Sequence, residues 1–223
     1  MEDVTEARFR KYGESKYIDL VLFPYREGNE GMEGWKNFVQ TFVDSKNGNR
    51  REIGLFLKEF SSEDKLTPQM IFERHHRLKE IGLPVVPTLR MSDDNKLLLM
   101  TDLTYGGKYE IVDRHNIHPN NLALNSSVLA EQIKKIARKA SENGFYLNID
   151  AYTLVIDKKT KEGKIFLSDL SSGVETKYDL EESFRKSIRS KYMTFEDYKD
   201  FYANNFAASF IEAFLSDKPL MYN

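Results

Sequence analysis

The chain of 223 residues contains no cysteine. That removes disulfides, thiolate-bound zinc and a cysteine nucleophile, and it suits a reducing compartment. An excess of one charge is missing too. Lys and Arg number 33 against 35 Asp and Glu, so no net field favours nucleic acid or an anionic membrane as partner. No run approaches the ~18 apolar residues that make a candidate membrane span. The opening MEDVTEARFRKYG is charged and lacks the apolar segment of a signal peptide. These absences predict a cytoplasmic protein that engages neither nucleic acid nor membrane. What is present, 40% hydrophobic and 30% charged residues, is the composition of a globular chain. The length suits one large domain or two small lobes.

Hydrophobic patterning predicts strands at KYIDLVLFPY (16–25), NFVQTFVD (37–44) and EIGLFLKEF (52–60). The Asn-Gly of SKNGNRR marks a hairpin turn between the last two, because both residues tolerate positive φ. A helix follows. Thr67 is placed to cap it, Pro68 suits its first position, and Gly82 with Pro84 stops it. Two more strands, VVPTLRM (85–91) and KLLLMTDL (96–103), flank the turn SDDN. After the segment DRHNIHPNNLALN, the spacing of Leu129, Ile133, Ile136 and Ala140 predicts an amphipathic helix ended by Asn143-Gly144. YTLVIDKKTKEGKIFLSDL reads as a hairpin, and Thr194 is placed to cap a final helix whose aromatics Tyr198, Phe201, Tyr202, Phe206, Phe210 and Phe214 form core. The expected class is α+β in two parts, 1–104 and 105–223.

Several stretches carry chemistry. In LFLKEF, the Lys58 ammonium follows Leu55, Phe56 and Leu57 and needs an anion, since an unpaired buried charge is costly. Glu73, fifteen residues on, is the mid-helix carboxylate beside the apolar face of Ile71 and Leu78, with Glu63 and Glu80 as rivals. Between the first two strands, REGNEGMEGW offers Gly28, Gly31 and Gly34, and glycine lets backbone approach a phosphate closely. Its Glu27, Glu30 and Glu33 oppose such a ligand. Further on lie LLLMTDLTYGG, GFYLNIDAYTLVID and IFLSDLSSG. His115 and His118 lie three apart but lack further ligands for zinc, and the Asn125 sequon matters only in a secreted chain.

Taken together, these stretches resemble the protein kinase-like superfamily over roughly residues 16–173, including its small aminoglycoside phosphotransferase, RIO and lipopolysaccharide kinase members. The resemblance implies an N-terminal lobe with a five-stranded antiparallel sheet and one helix, and a small, mainly helical C-terminal lobe. LFLKEF is similar to V-A-I-K, which makes Lys58 the phosphate-binding lysine and Glu73 its helical partner. Gly31 belongs to the phosphate-covering loop, while Met100, Asp102 and Leu103 line the base pocket. Matching LVID to the strand after the catalytic loop puts Tyr146 at the His, Asn148 at the catalytic Asp and Thr153 at the metal-binding Asn. Asp169 stands at the metal Asp of D-F-G, followed by Leu170 and Ser171 in place of Phe and Gly.

The departures set the functional expectation. An amide such as that of Asn148 cannot accept a proton near neutral pH, and losing a general base costs about 10²–10⁴ in rate. Thr153 is a weak ligand for Mg²⁺, leaving Asp169 as the clear carboxylate, and Asp150 is the local substitute for the base. Only 50 residues follow Gly173, without an A-P-E sequence, so a long activation segment does not fit. The expectation is a catalytically degenerate kinase-like protein, a pseudokinase, that binds ATP and Mg²⁺ and serves a regulatory or protein-binding role. Its alternatives are an active small kinase using Asp150 and an interaction module with no nucleotide.

Overall fold

In the first half of the chain, short runs of alternating apolar residues set out six strands, and hydrogen bonding closes them on themselves. The computed structural model describes residues 4–31, 34–44, 49–60, 67–87, 89–112 and 123–216, with side chains left undescribed at 27–31, 34–36 and 44. The strands are β1 (Thr5–Arg10), β2 (Ile18–Gly31), β3 (Gly34–Asp44), β4 (Arg50–Glu59), β5 (Arg90–Ser92) and β6 (Leu97–Thr101). Their order is β1-β2-β3-β4-β6-β5, and antiparallel pairing of Phe9 with Ser92 and Arg10 with Met91 shuts the barrel. A five-stranded sheet was expected, so this is a correction. The sixth strand lies in the charged opening segment, where Ala7 and Phe9 alternate with arginines. Closure leaves neither edge of the sheet unpaired.

Period-two alternation then sorts the side chains. Phe9, Leu20, Leu22, Val39, Leu55, Leu57 and Leu99 form one buried cluster, each worth about 1.5–3 kcal/mol of burial. Phe56 and Lys58 project from the opposite face of β4. In the segment 85–91, expected to be a strand throughout, the described residues show a strand from Arg90, in Arg90–Ser92, and an isolated bridge at Val85. Helix α1 (Pro68–Glu80) begins as its sequence suggests, with Met70 N–H donating to Thr67 Oγ1 at 3.3 Å. His75 Nε2 lies 2.8 Å from Val86 O, and Tyr12 stacks on His76 at 3.9 Å.

The chain divides into two compact units, Met1–Arg77 with Val86–Gly107, and Leu78–Val85 with Lys108–Asn223. The second contains α2 (Ser126–Glu142), α3 (Lys177–Lys186) and α4 (Phe195–Leu215). It also has two small sheets. One orders β10 (Gly163–Leu167), β9 (Tyr152–Asp157) and β7 (Tyr109–Val112), and the other pairs β11 (Val174–Thr176) with β8 (Phe145–Leu147). With four helices and three sheets, the described residues form a mixed α and β structure. Leu129, Ile133, Ile136, Ala137 and Ala140 bury one face of α2, and Gly144 leaves the helix at φ 77°. A capping box joins Thr194 and Asp197 at the start of α4, and a second joins Thr176 and Asp179 at the start of α3. In α4, Tyr198, Tyr202, Phe210 and Phe214 are buried. Phe201 and Phe206 are half-buried, and Arg189 lies over the Phe201 ring at 4.2 Å.

Position 54 shows how tightly the barrel exterior is covered. A Cβ on Gly54 would run into the ring of Tyr105, whose hydroxyl is bonded to Glu52. Replacing Gly54 by Val is expected to lower stability by about 1–3 kcal/mol through overpacking, read as a shift in the urea midpoint. Gly106→Ala provides the contrast, because it meets no atom and its cost comes from its φ of 77° alone.

Candidate functional site

The first unit contains the residues assigned to nucleotide binding. Lys58 is buried, 6% exposed, with its ammonium 5.0 Å from the Phe60 ring centroid. Strand register sets Lys58 opposite Leu98, and sets Phe56 between Phe38 and Met100. Phe38 and Phe56 meet edge to face at 5.2 Å, and the Arg26 guanidinium covers the Phe38 ring at 3.4 Å. The face beside Lys58 is therefore aromatic, with Met100 half-buried in the same row.

Glu73 has another neighbour than Lys58. It is exposed and accepts a hydrogen bond from Gln69 Nε2 at 2.6 Å. Ile71, Phe72, Arg74, His75 and Leu78 are the buried residues of this helix, and a 3.6-residue period turns position 73 away from them. Glu80 is exposed, and Glu63 lies outside the described residues.

Asp102, read as a base-pocket residue, is spent inside the fold. Its side chain is 2% exposed, and the Arg26 guanidinium lies 3.6 Å away. One oxygen accepts from the Thr104 amide at 2.8 Å and the Thr104 hydroxyl at 2.7 Å, and the other accepts from the Tyr25 hydroxyl. Burial, and next its bond to Asp102, pushes the Tyr25 phenol far above its usual range. Leu103 follows in the turn, half-buried. The segment expected to be a glycine loop is largely strand. Gly28 and Gly31 lie in β2, Gly34 lies in β3, and Gly31 pairs with Gly34. The ladder shifts register between Pro24 and Arg26 and again between Arg26 and Asn29.

In the second unit, pairing of Leu147 with Val174 in β8 and β11 brings two loops side by side. Asn148 joins them. Its amide N–H donates to Gly173 O at 3.0 Å, its Nδ2 donates to Ser172 O at 2.8 Å, and its Oδ1 accepts from the Asp150 N–H at 2.8 Å. The last bond caps a single turn, Ile149–Ala151. Thr153 Oγ1 and Ser168 Oγ hydrogen-bond each other. The Asp169 carboxylate folds onto its own loop, accepting at Oδ1 from Ser171 N (3.1 Å) and Oγ (2.5 Å), and at Oδ2 from Ser172 Oγ (3.0 Å). Asp150 is exposed. Gly173 makes the approach possible, because a Cβ there would meet the backbone of Ala151 and the carbonyl of Asp169.

Tyr146, at the His position of the resemblance, is buried with Leu180, Tyr198 and Tyr202. Burial raises its phenol pKa. The Tyr202 hydroxyl donates to Glu175 Oε1 at 2.8 Å, and burial followed by that carboxylate drives its pKa far up. The structure thus brings Asn148, Asp150, Thr153 and Asp169 to one junction. The hydrogen bonds of Ser171 and Ser172 to Asp169, and of Ser168 to Thr153, were not foreseen from the sequence. Their signal was SDLSS, where Ser two and three residues after an Asp marks a side-chain-bonded turn.

This donor set does not fit a Mg²⁺ centre well. A hard cation wants several oxygen ligands. Here the Asp169 carboxylate already accepts three hydrogen bonds, the Thr153 hydroxyl is engaged, and Asp150 is the one further carboxylate among the four residues of the junction. Among the described residues no three Asp, Glu or His side chains gather as a metal site, and no helix is long and apolar enough to cross a membrane. His115 and His118 lie outside the described residues.

Comparison with known proteins places little beside this geometry. No protein-family model matches the sequence, and no curated protein matches it. Among solved structures, the chain is similar to the crystal structure of a Helicobacter pylori proinflammatory kinase, CtkA, at 17% identity and a TM-score of 0.45. The match covers 76% of this chain and 65% of that one. At that TM-score the likeness does not fix a shared fold.

The junction yields a graded expectation for stability. Gly173→Ala should cost about 1–3 kcal/mol, since the clash is with backbone. Asn148→Ala should cost about 0.5–1.5 kcal/mol for its lost side-chain bonds. Chemical denaturation of both variants checks the order.

Proposed function

We propose that the chain is a degenerate kinase-like protein, a nucleotide-responsive binding or regulatory protein with little or no phosphoryl transfer. Its two units are the counterparts of the nucleotide-covering and helical lobes of that superfamily. The observation that supports this reading is the junction of the two loops at Asn148 and Gly173. The stretches resembling a catalytic loop and a metal-binding Asp segment lie hydrogen-bonded to each other there. The residue in the base position has an amide with no proton-accepting capacity near neutral pH, and both ends of that amide hold the loops. Positioning without a base leaves binding as the function. Lys58, on the outer face of β4, supplies the cation for a nucleotide phosphate. Because the donors around Asp169 fit a metal poorly, binding is independent of Mg²⁺.

A second reading, an interaction module with no nucleotide, is favoured by Phe56. In V-A-I-K the residue two before the lysine is Ala. Here that position is a phenyl ring packed on Phe38, with Arg26 above it. Little open surface is left on that face of β4 for a planar base.

Thermal shift with ATP separates these readings. The expected outcome is a rise in Tm with ATP that is the same with and without Mg²⁺ and is lost in Lys58→Ala. Lys58→Arg, which keeps the charge, retains part of it. Phosphate transfer from labelled ATP should stay at background in the wild type and in Asp150→Ala. No ATP-dependent shift in the wild type leaves the interaction module. Transfer that disappears in Asp150→Ala overturns the degenerate reading.

A further inference from the structure

Helix α2 carries two kinds of charged face. On one, Glu131 pairs with Lys134 at 2.8 Å, and Glu142 lies 4.0 Å from Arg138. On another, Val128, Gln132, Lys135 and Lys139 follow each other at spacings of three and four residues, which aligns them along the helix. Lys135 and Lys139 sit one turn apart, and among the described residues neither makes an ion pair. Like charges at this spacing repel by a few tenths of a kcal/mol, and Glu131, one turn before Lys135, offsets part of that by its electrostatic attraction.

These lysines border a cavity of about 460 Å³ between α2, β10 and the Gly82–Pro84 turn. Its floor is apolar, built from Leu83, Ile136, Ile165 and Phe166. Lys164 lines it from β10, with its ammonium 3.4 Å from the Tyr109 hydroxyl and 5.3 Å from that ring. Among the described residues no Asp or Glu lines it. Toward the start of α2 the stripe ends in exposed apolar side chains, Leu124 at 78% and Val128 at 55% exposure. Asn125 fixes that end of the groove, since its amide side chain accepts from Gly163 N–H at 2.8 Å and donates to Gly163 O at 3.1 Å.

We propose that this groove is the docking site for an acidic, amphipathic peptide segment of a protein partner. Charge complementarity decides the sign: three lysines line the groove and no carboxylate does, which calls for an anionic occupant. Their arrangement decides the shape. Two lie along α2 and the third on β10 beside Tyr109, so they form a rim rather than a cluster around one point anion. Exposed Leu124 and Val128, together with the apolar floor, take the peptide's hydrophobic side chains. This site lies wholly in the second unit and is independent of any nucleotide at Lys58.

The test uses the full chain and a fluorescent peptide alternating Glu and Leu, with the same peptide carrying Lys for Glu as its counterpart. The acidic peptide is expected to bind with an affinity that falls as salt rises. Lys135→Glu with Lys139→Glu weakens it at least about tenfold, and Leu124→Ser with Val128→Ser weakens it too. Lys134→Glu, on the ion-paired face, leaves it unchanged. Backbone amide shifts on titration should concentrate in α2 and β10, and circular dichroism confirms that each variant is folded. Equal binding of both peptides overturns the proposal, as does acidic-peptide binding that survives the double charge reversal. Pyrophosphate that shifts the same amides when the peptide shifts none also overturns it, and makes the groove a small-anion site.

Discussion

The second unit depends on one backbone approach. At Gly173 the chain passes so close to Ala151 and to the Asp169 carbonyl that no side chain fits. That closeness lets Asn148 hydrogen-bond to Gly173 and Ser172 at once. Strands β8 and β11 run directly into this crossing, so their ladder and the loop bonds support each other. Hydrogen bonds made in such a constrained junction gain because the partners are already placed, whereas an isolated surface bond must also order its own chain.

The same economy of polar groups runs through both units and bears on chemistry. A carboxylate available to a ligand must have acceptor capacity facing outward. Asp102 has little, since Tyr25, Thr104 and Arg26 surround a side chain that is nearly inaccessible. Asp169 is better placed but leans on two serines. Asp102, Asn148 and Asp169 thus each fasten a turn or a pair of loops by hydrogen bonds. A fastening network that satisfies its buried polar groups specifies the local structure.

Helix α2 links the packing of the second unit to its surface charge. Its apolar stripe is fully used in the core, and its ion-paired face is ordinary solvated surface. The third stripe, with Lys135 and Lys139, faces a cavity with an apolar floor. In physical terms it is a surface held ready for complementary charge.

Much of the local structure was legible because it depends on near neighbours in the chain. Thr67 and Thr194 announce helix starts, Asn143-Gly144 announces a stop, and the period of Leu129, Ile133 and Ile136 fixes which face of α2 is buried. Asn148 and Asp169 were singled out through the resemblance of their stretches to kinase motifs. What the sequence could not decide was every matter set by distant partners. Whether TEARFR is a charged tail or the strand that closes a barrel depends on Ser92 and Met91. Whether Glu73 faces Lys58 or Gln69 depends on how α1 is rotated against its neighbours, and Arg74 and His75 take the buried side. That the Asp102 side chain would be engaged by Tyr25, 77 positions away, was likewise beyond local reading. Local propensity is written in adjacent residues, but the direction of a side chain is decided by packing, which only the folded chain supplies.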